Sequence, residues 1–212
     1  MIETPADLSV YILYLKKVSI NEIEKTYNVL NSEDQRRSKS FKKEEDRYRF
    51  LGGRYLILNH LLKTNETAQL KNLSIDEYKR PNLPKFNFSI SHAKDRVVLA
   101  ISDLATAVGI DIEYKREIHV PHYLEPFSDS ERQYIMRRDT FNRFYQCWTR
   151  KESVLKALGR GFLLDSQGID ILSDKVKFGM IELQVMPLNI DTQYSCHLCF
   201  DQKNVNLDFH HL

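Results

Sequence analysis

Apolar positions come in short runs whose period changes along the chain. LSVYILYL (8–15) is a β-rich apolar run and reads as a strand. From Ser32 the pattern turns helical, and a longer helix follows over about 44–63, where Leu51, Tyr55, Leu58 and Leu62 fall on one stripe. Gly52-Gly53 inside that helix costs about 1 kcal/mol per glycine against alanine, so tight packing of another backbone is expected there. Residues 71–87 are loop-like around Pro81 and Pro84, and FNFSIS (86–91) then alternates as a strand. Val97–Ser102, a turn at Asp103-Leu104-Ala105 and Thr106–Tyr114 read as a strand pair. Pro121 and Pro126 break the next stretch. Ser128 followed by Glu131 is a capping box opening a helix to about Arg138. Phe141–Leu158 is the third substantial helix, stopped by Gly159 and Gly161, and the tail from Leu163 to about 208 alternates as several strands.

The order strand, helices, strands therefore occurs twice. The expected fold class is α+β, in two similar halves, 1–104 and 105–212, with the join near 103–106. A duplicated unit is possible, although no residue-level repeat is visible. No low-complexity linker separates the halves.

Composition narrows the function classes. Eleven Phe and eleven Tyr in a chain that is 42% hydrophobic supply the core of a globular protein, and a net charge of +2 gives no global field for DNA or a membrane. The bias at 36–49, from Arg36 and Arg37 to Arg47 and Arg49, is offset by Glu44, Glu45 and Asp46 and reads by itself as a solvated helix face. No signal pattern or membrane-length apolar run is present, and three cysteines do not make a disulfide framework, so a cytoplasmic protein with free thiols is expected. Cys196 and Cys199, with His197 between them, form a lone CxxC in an alternating run that would turn the two sulfurs to opposite faces of a strand, against a zinc site.

Two segments carry candidate chemistry. In GIDIEY (109–114) Asp111 and Glu113 lie two apart, so on a strand both carboxylates point the same way. In CWTRKESVLKALG (147–159) Glu152 and Lys156 lie one helical turn apart, with Trp148 a turn before Glu152 and Lys151 beside it. Each pair alone is an ordinary surface device. Together, three acids able to converge beside lysines are the composition expected of a divalent cation holding a phosphorylated substrate. Ser91 and His92 close the FNFSISH strand; side chains on opposite faces cannot form a nucleophile and its base, but a His at a strand end can donate to a phosphate.

In combination, FNFSISHAKDRVVLAI, VGIDIE and the helix with Trp148, Lys151-Glu152 and Lys156 (WxxKExxxK) resemble the 4′-phosphopantetheinyl transferases, in their larger pseudodimeric, surfactin-synthetase-activating class. The resemblance covers about residues 30–165. It implies two α+β halves packed as an intramolecular pseudodimer, so that a monomer suffices, and transfer of 4′-phosphopantetheine from coenzyme A to a serine of an apo acyl or peptidyl carrier protein. It further implies Mg²⁺ on Asp111, Glu113 and Glu152, Lys156 and Lys151 at the pyrophosphate side, His92 with Ser91 at coenzyme A phosphates, Arg49 at the ribose 3′-phosphate, and Arg37 upstream. Asp111, Glu152 and Lys156 are the implied catalytic groups, Glu152 acting as base or only as ligand. Oxygen ligands accept Mg²⁺ and Mn²⁺ alike.

Two departures from the family pattern stand out. Tyr78-Lys79-Arg80-Pro81 replaces Tyr-Gly-Lys-Pro, keeping a cation at Arg80 but losing the glycine, and Asp34 stands where a Lys is common, which would weaken 3′-phosphate binding. A non-catalytic coenzyme A binding module is the alternative reading. For the carrier, an apolar and basic surface at 115–137 is expected, with Tyr123, Leu124, Phe127 and Ile135 among Arg132, Arg137 and Arg138.

Overall fold

The computed structural model describes residues 6–76, 80–102, 107–159, 166–201 and 205–212. They form two compact units, one built from 7–105 with 206–212, the other from 106–205 with the first six residues.

In the first unit β1 (Ala6–Tyr14) is followed by α1 (Ile20–Val29), α2 (Ser32–Ser40) and α3 (Glu44–Lys63). After the short pair β2 (Ser74–Ile75) and β3 (Pro81–Asn82) come β4 (Asn87–Ala93) and β5 (Arg96–Ser102). The sequence pattern missed α1, although Ser19 and Glu22 spell out its capping box. β5 pairs antiparallel with β1 (Tyr11 opposite Leu99) and with β4 (Ile90 opposite Leu99). The expected pairing of 97–102 with 106–114 is therefore corrected: β1 and β4 occupy both edges of β5, and the second segment belongs to another sheet. The expected turn at 103–105 lies outside the described residues. The last strand, β10 (Val205–His211), joins this sheet beside β1.

Gly52 and Gly53 let α3 lie close on the sheet. A Cβ at Gly52 would stand 3.1 Å from methyl carbons of Leu13 and Leu15, and one at Gly53 would stand 3.3 Å from Ile90. The neighbours are side chains, not the backbone that was expected.

In the second unit β6 (Val108–Tyr114) leads through α4 (Asp129–Ile135) to α5 (Thr140–Leu158), and β7 (Lys175–Phe178), β8 (Ile181–Pro187) and β9 (Tyr194–Phe200) complete an antiparallel sheet in the order β6-β9-β8-β7. α5 ends at Gly159, whose φ of +74° is the left-handed conformation that closes a helix; Gly161, the second expected stop, lies outside the described residues. Cys196 and Cys199 sit on β9, both buried and free, and Cys147 is buried and free on α5.

Each unit buries one ion pair between a short helix and the long one that follows. Asn31 caps α2 and accepts from the N–H of Asp34 at 2.9 Å, and Asp34 in turn takes both Nε and a terminal nitrogen of Arg54, at 2.6 and 3.0 Å. Ser128 caps α4 over Glu131, and Glu131 accepts from Lys151 Nζ at 2.6 Å and from the N–H of Ile171 at 3.1 Å. All four charged side chains are nearly inaccessible. Breaking such a pair strands a buried charge, at roughly 3–5 kcal/mol. Among the described residues no helix is long and apolar enough to cross a membrane.

Candidate active site

The site begins with a glycine. A Cβ on Gly109 would lie 1.9 Å from the carbonyl oxygen of Ser153 and 2.6 Å from the nitrogen of Ala157, so α5 rests backbone to backbone on β6 at this point. With a strand period of two, Asp111 and Glu113 share the face of Gly109 and look toward α5. Lys156, on the turn of α5 that passes over β6, donates to Asp111 Oδ1 at 2.6 Å and to the Ile110 carbonyl at 3.1 Å. Ile110 and Ile112 on the opposite face are buried, as the alternation implied.

Glu113 and Glu152 complete an acidic patch. Burial, then the negative charge of Asp111, lift the carboxyl of Glu113 to about 7, with Glu152 adding to the rise and Lys156 opposing it. Burial and Asp111 lift Glu152 to about 7 as well, again against Lys156. The three acids thus feel one another, and Lys156, with Arg116 also acting on Glu113, only partly compensates them. Among the described residues, no three His, Cys, Asp or Glu side chains close tightly enough to hold an ion as they stand, and Lys156 is the cation seated on Asp111. The donor chemistry fits a hard divalent cation, because every ligand offered is a carboxylate oxygen and the patch carries excess negative charge.

Behind the acids lies a polar network that no local pattern singles out. In the β6–β9 register Asp111 faces His197 and Glu113 faces Ser195. Thr149 of α5 contacts both, at 2.7 Å to His197 Nδ1 and 2.9 Å to Ser195 Oγ. Burial, then the positive charge of Arg150, pull the His197 imidazole down to about 3, so it is neutral. Pairing between strands some eighty residues apart leaves no local signal.

The expected coenzyme contacts other than the lysines lie in the first unit. Arg49 donates to the Lys94 carbonyl at 2.9 Å and to Asp46 at 2.7 Å, and Asp46 is held below the usual carboxylate range first by that bond and then by the charges of Arg49, Lys43 and His92. Arg49 and His92 therefore neighbour the same carboxylate, as members of one basic patch. Of the pair at the end of β4, Ser91 is buried and His92 is exposed. Arg37 stacks over the Phe50 ring at 5.4 Å. Arg80 is tied to Asp76 at 2.8 Å, while Tyr78 and Lys79 lie outside the described residues. Asp34 is engaged by Arg54 in the interior, so it is a scaffold group rather than a repulsive charge facing a phosphate.

Three expectations are corrected. Lys151, expected at the coenzyme, is buried; its ammonium is held by Glu131 and the Pro126 carbonyl at 3.1 Å and lies over the Phe127 ring. Phe127 and Ile135, expected to meet a carrier, are fully buried in the core of the second unit, Ile135 on the inward face of α4 and Phe127 on the segment just before it. Arg132 is occupied by the carbonyls of Leu124 and Glu125, both at 3.0 Å, which leaves Tyr123 and Met136 as the exposed large apolar side chains of this segment.

Comparison with known proteins agrees with this construction. Residues 107–210, the stretch from β6 to β10, match the family model of the 4′-phosphopantetheinyl transferase superfamily. The 4′-phosphopantetheinyl transferase gsp of Aneurinibacillus migulanus is 32% identical over 157 residues, which is 68% of this chain and 64% of that protein. The 4′-phosphopantetheinyl transferase Sfp of Bacillus subtilis is 27% identical over 165 residues, 74% of this chain and 73% of that protein. A human relative, L-aminoadipate-semialdehyde dehydrogenase-phosphopantetheinyl transferase, is 30% identical over 144 residues, 63% of this chain and 42% of that protein. The chain belongs to the 4′-phosphopantetheinyl transferase superfamily.

Proposed function

We propose that this protein transfers the 4′-phosphopantetheine group of coenzyme A to a serine hydroxyl of an apo acyl or peptidyl carrier protein, releasing adenosine 3′,5′-bisphosphate. The observation that carries this reading is the patch of Asp111, Glu113 and Glu152 with Lys156 seated in it, inside the stretch that matches the family. Asp111, Glu113 and Glu152 would hold a divalent cation, Mg²⁺ in the first instance, which when bound supplies charge neutralisation on the pyrophosphate.

The remaining work falls to side chains. Lys156 can turn its ammonium from Asp111 to an oxygen of the departing diphosphate, where negative charge builds as the phosphorus–oxygen bond breaks. Glu152, with a carboxyl near neutrality, is suited to take the proton of the serine hydroxyl as the new phosphorus–oxygen bond forms. In the other unit, Arg37, Arg49, Arg80 and His92 with Ser91 are assigned to the anionic nucleotide end of coenzyme A. Arginine forks suit phosphate oxygens, and a net charge of only +2 is enough when the cations are local.

In this reading the halves 1–104 and 105–212 act as an intramolecular pseudodimer, a monomer suffices, and the site of action is the cytoplasm, where three buried free thiols stay reduced. The test is incubation with apo carriers, coenzyme A and Mg²⁺, read by mass spectrometry. A carrier heavier by one phosphopantetheine is expected; unchanged mass across a panel of acyl and peptidyl carriers would reject the proposal.

A further inference from the structure

The second unit contains a cavity of about 610 Å³ that the transfer chemistry does not use. It opens between the first half of α5 and the β8–β9 connection, and its volume is in the usual range of small-molecule sites. Its walls are apolar where Ile171, Leu188 and Ile190 line it, and its rim carries Lys115, Asn142 and Gln146. On its floor lie Ser195 and His197, both more than nine-tenths buried.

Hydrogen-bond balance fixes what that floor offers. A threonine hydroxyl has one proton. Thr149 lies 2.8 Å from the Tyr145 carbonyl and 3.3 Å from the Gln146 carbonyl, acceptors to which only the threonine can donate. His197 Nδ1, at 2.7 Å from the same hydroxyl oxygen, must then be the donor of its own bond, and Ser195 Oγ donates at 2.9 Å. With the proton on Nδ1, the Nε2 of the neutral ring is a lone-pair acceptor on the cavity side, and no described side chain supplies it with a donor. Arg150, which also lines the cavity, is engaged elsewhere: its guanidinium is bound to the carbonyls of Ile171 and Ser173 and to Asp174. At the rim the polarity is reversed, since Lys115 donates to Asn142 Oδ1 at 3.1 Å and has donor capacity left.

We propose that this cavity is a binding site for an uncharged carboxamide, which directs its N–H to His197 Nε2 and its carbonyl oxygen to the rim around Lys115 and Gln146. A carboxylate is disfavoured, because an anion would face a lone pair at the floor. An amide carries both a donor and an acceptor, and its hydrocarbon part meets the apolar wall. The assignment is independent of what the acidic patch does.

The test uses the full-length protein with benzamide and N,N-dimethylbenzamide, two probes of similar body of which only the first donates. Nitrogen-15 spectra of the histidine ring should show Nδ1 protonated and Nε2 bare, and benzamide should shift the Nε2 resonance. Benzamide should bind at least about tenfold tighter than its dimethyl analogue, the loss expected when a buried acceptor is left unmade. His197→Phe should erase that difference. Gln146→Trp, at an exposed helix position on the rim, should block both probes without touching the interior, which keeps the test decisive if the first variant does not fold. Equal affinity for the two probes, no binding of either, a proton found on Nε2, or binding unchanged in Gln146→Trp would overturn the proposal. None of these readouts involves transfer activity.

Discussion

Each of the two units ties a capped short helix to the long helix after it, and the two differ in the chemistry that stands beside that tie. In both, a capped short helix presents a buried acid at its third position to a base twenty residues further on, Asp34 to Arg54 and Glu131 to Lys151. The offset between the two sets is 97 residues for the cap (31 to 128), the acid (34 to 131) and the base (54 to 151). Carried to the acidic patch, that offset pairs Asp111, Glu113, Glu152 and Lys156 with Tyr14, Lys16, Tyr55 and Asn59, so the acids stand at these positions in the second unit alone. The comparison separates scaffold from chemistry. Lys151 flanks Glu152 in sequence, yet its counterpart is Arg54, and it does what Arg54 does.

The sharpest way to break the comparison is at the acids. Asp111→Ala should lower carrier modification by at least about a thousandfold with an unchanged circular dichroism spectrum, as loss of a group stabilising transition-state charge does. Tyr14→Leu, at the position offset by 97 residues in the first unit, should stay within about twofold. Comparable rates for the two variants would leave the asymmetry without catalytic meaning. The buried pairs should behave alike instead: Lys151→Met and Arg54→Met should each lower stability by roughly 3–5 kcal/mol in urea melts. A Lys151→Met enzyme assayed well below its midpoint should keep its KM for coenzyme A, and a large rise in KM would return Lys151 to the coenzyme site.

Glycine contacts come next in size. Gly109→Ala drives a methyl group into the backbone of α5 and should destabilise by about 3 kcal/mol. The acids also predict a pH dependence. Glu113 and Glu152 titrate in the folded protein at about 7, above the 4.5 of the unfolded chain, so the folded state holds protons that the unfolded state has released. Their contribution is complete below about pH 4.5 and is lost as pH rises through 7, by on the order of 3 kcal/mol in all. Thermal melts should show that decline, and millimolar Mg²⁺ should reverse it above pH 7; replacing both by Gln should flatten it. Smallest is Gly53→Ala, where the contacts are the Cγ2 and Cδ1 methyls of Ile90 at 3.3 and 3.5 Å and a gain in helix propensity of about 1 kcal/mol offsets the mild crowding, leaving stability nearly unchanged.

Local periodicity carried most of the elements. β1, α3, α5 and the Ser128–Glu131 box follow from apolar spacing and cap chemistry, which act within a few residues. What escaped depends on distant partners. Nothing near Val97–Ser102 says that both its edges are taken. The likeness of the two cap–acid–base sets escaped because they keep charge sign and spacing but not identity: Asn for Ser, Asp for Glu, Arg for Lys. The three acids and Lys156 were legible from strand and helix periods together. His197 and the cavity above it were not, since the register of β6 on β9 brings them there.

The sheet that opens with β1 is finished by β10, whose first residue is Val205. On a ribosome adding roughly 5–20 residues per second, the edge of β1 waits on the order of ten seconds while the entire second unit is made. An unpaired strand edge of that length invites association with other chains, so nascent protein should depend on chaperones until residues 205–211 emerge.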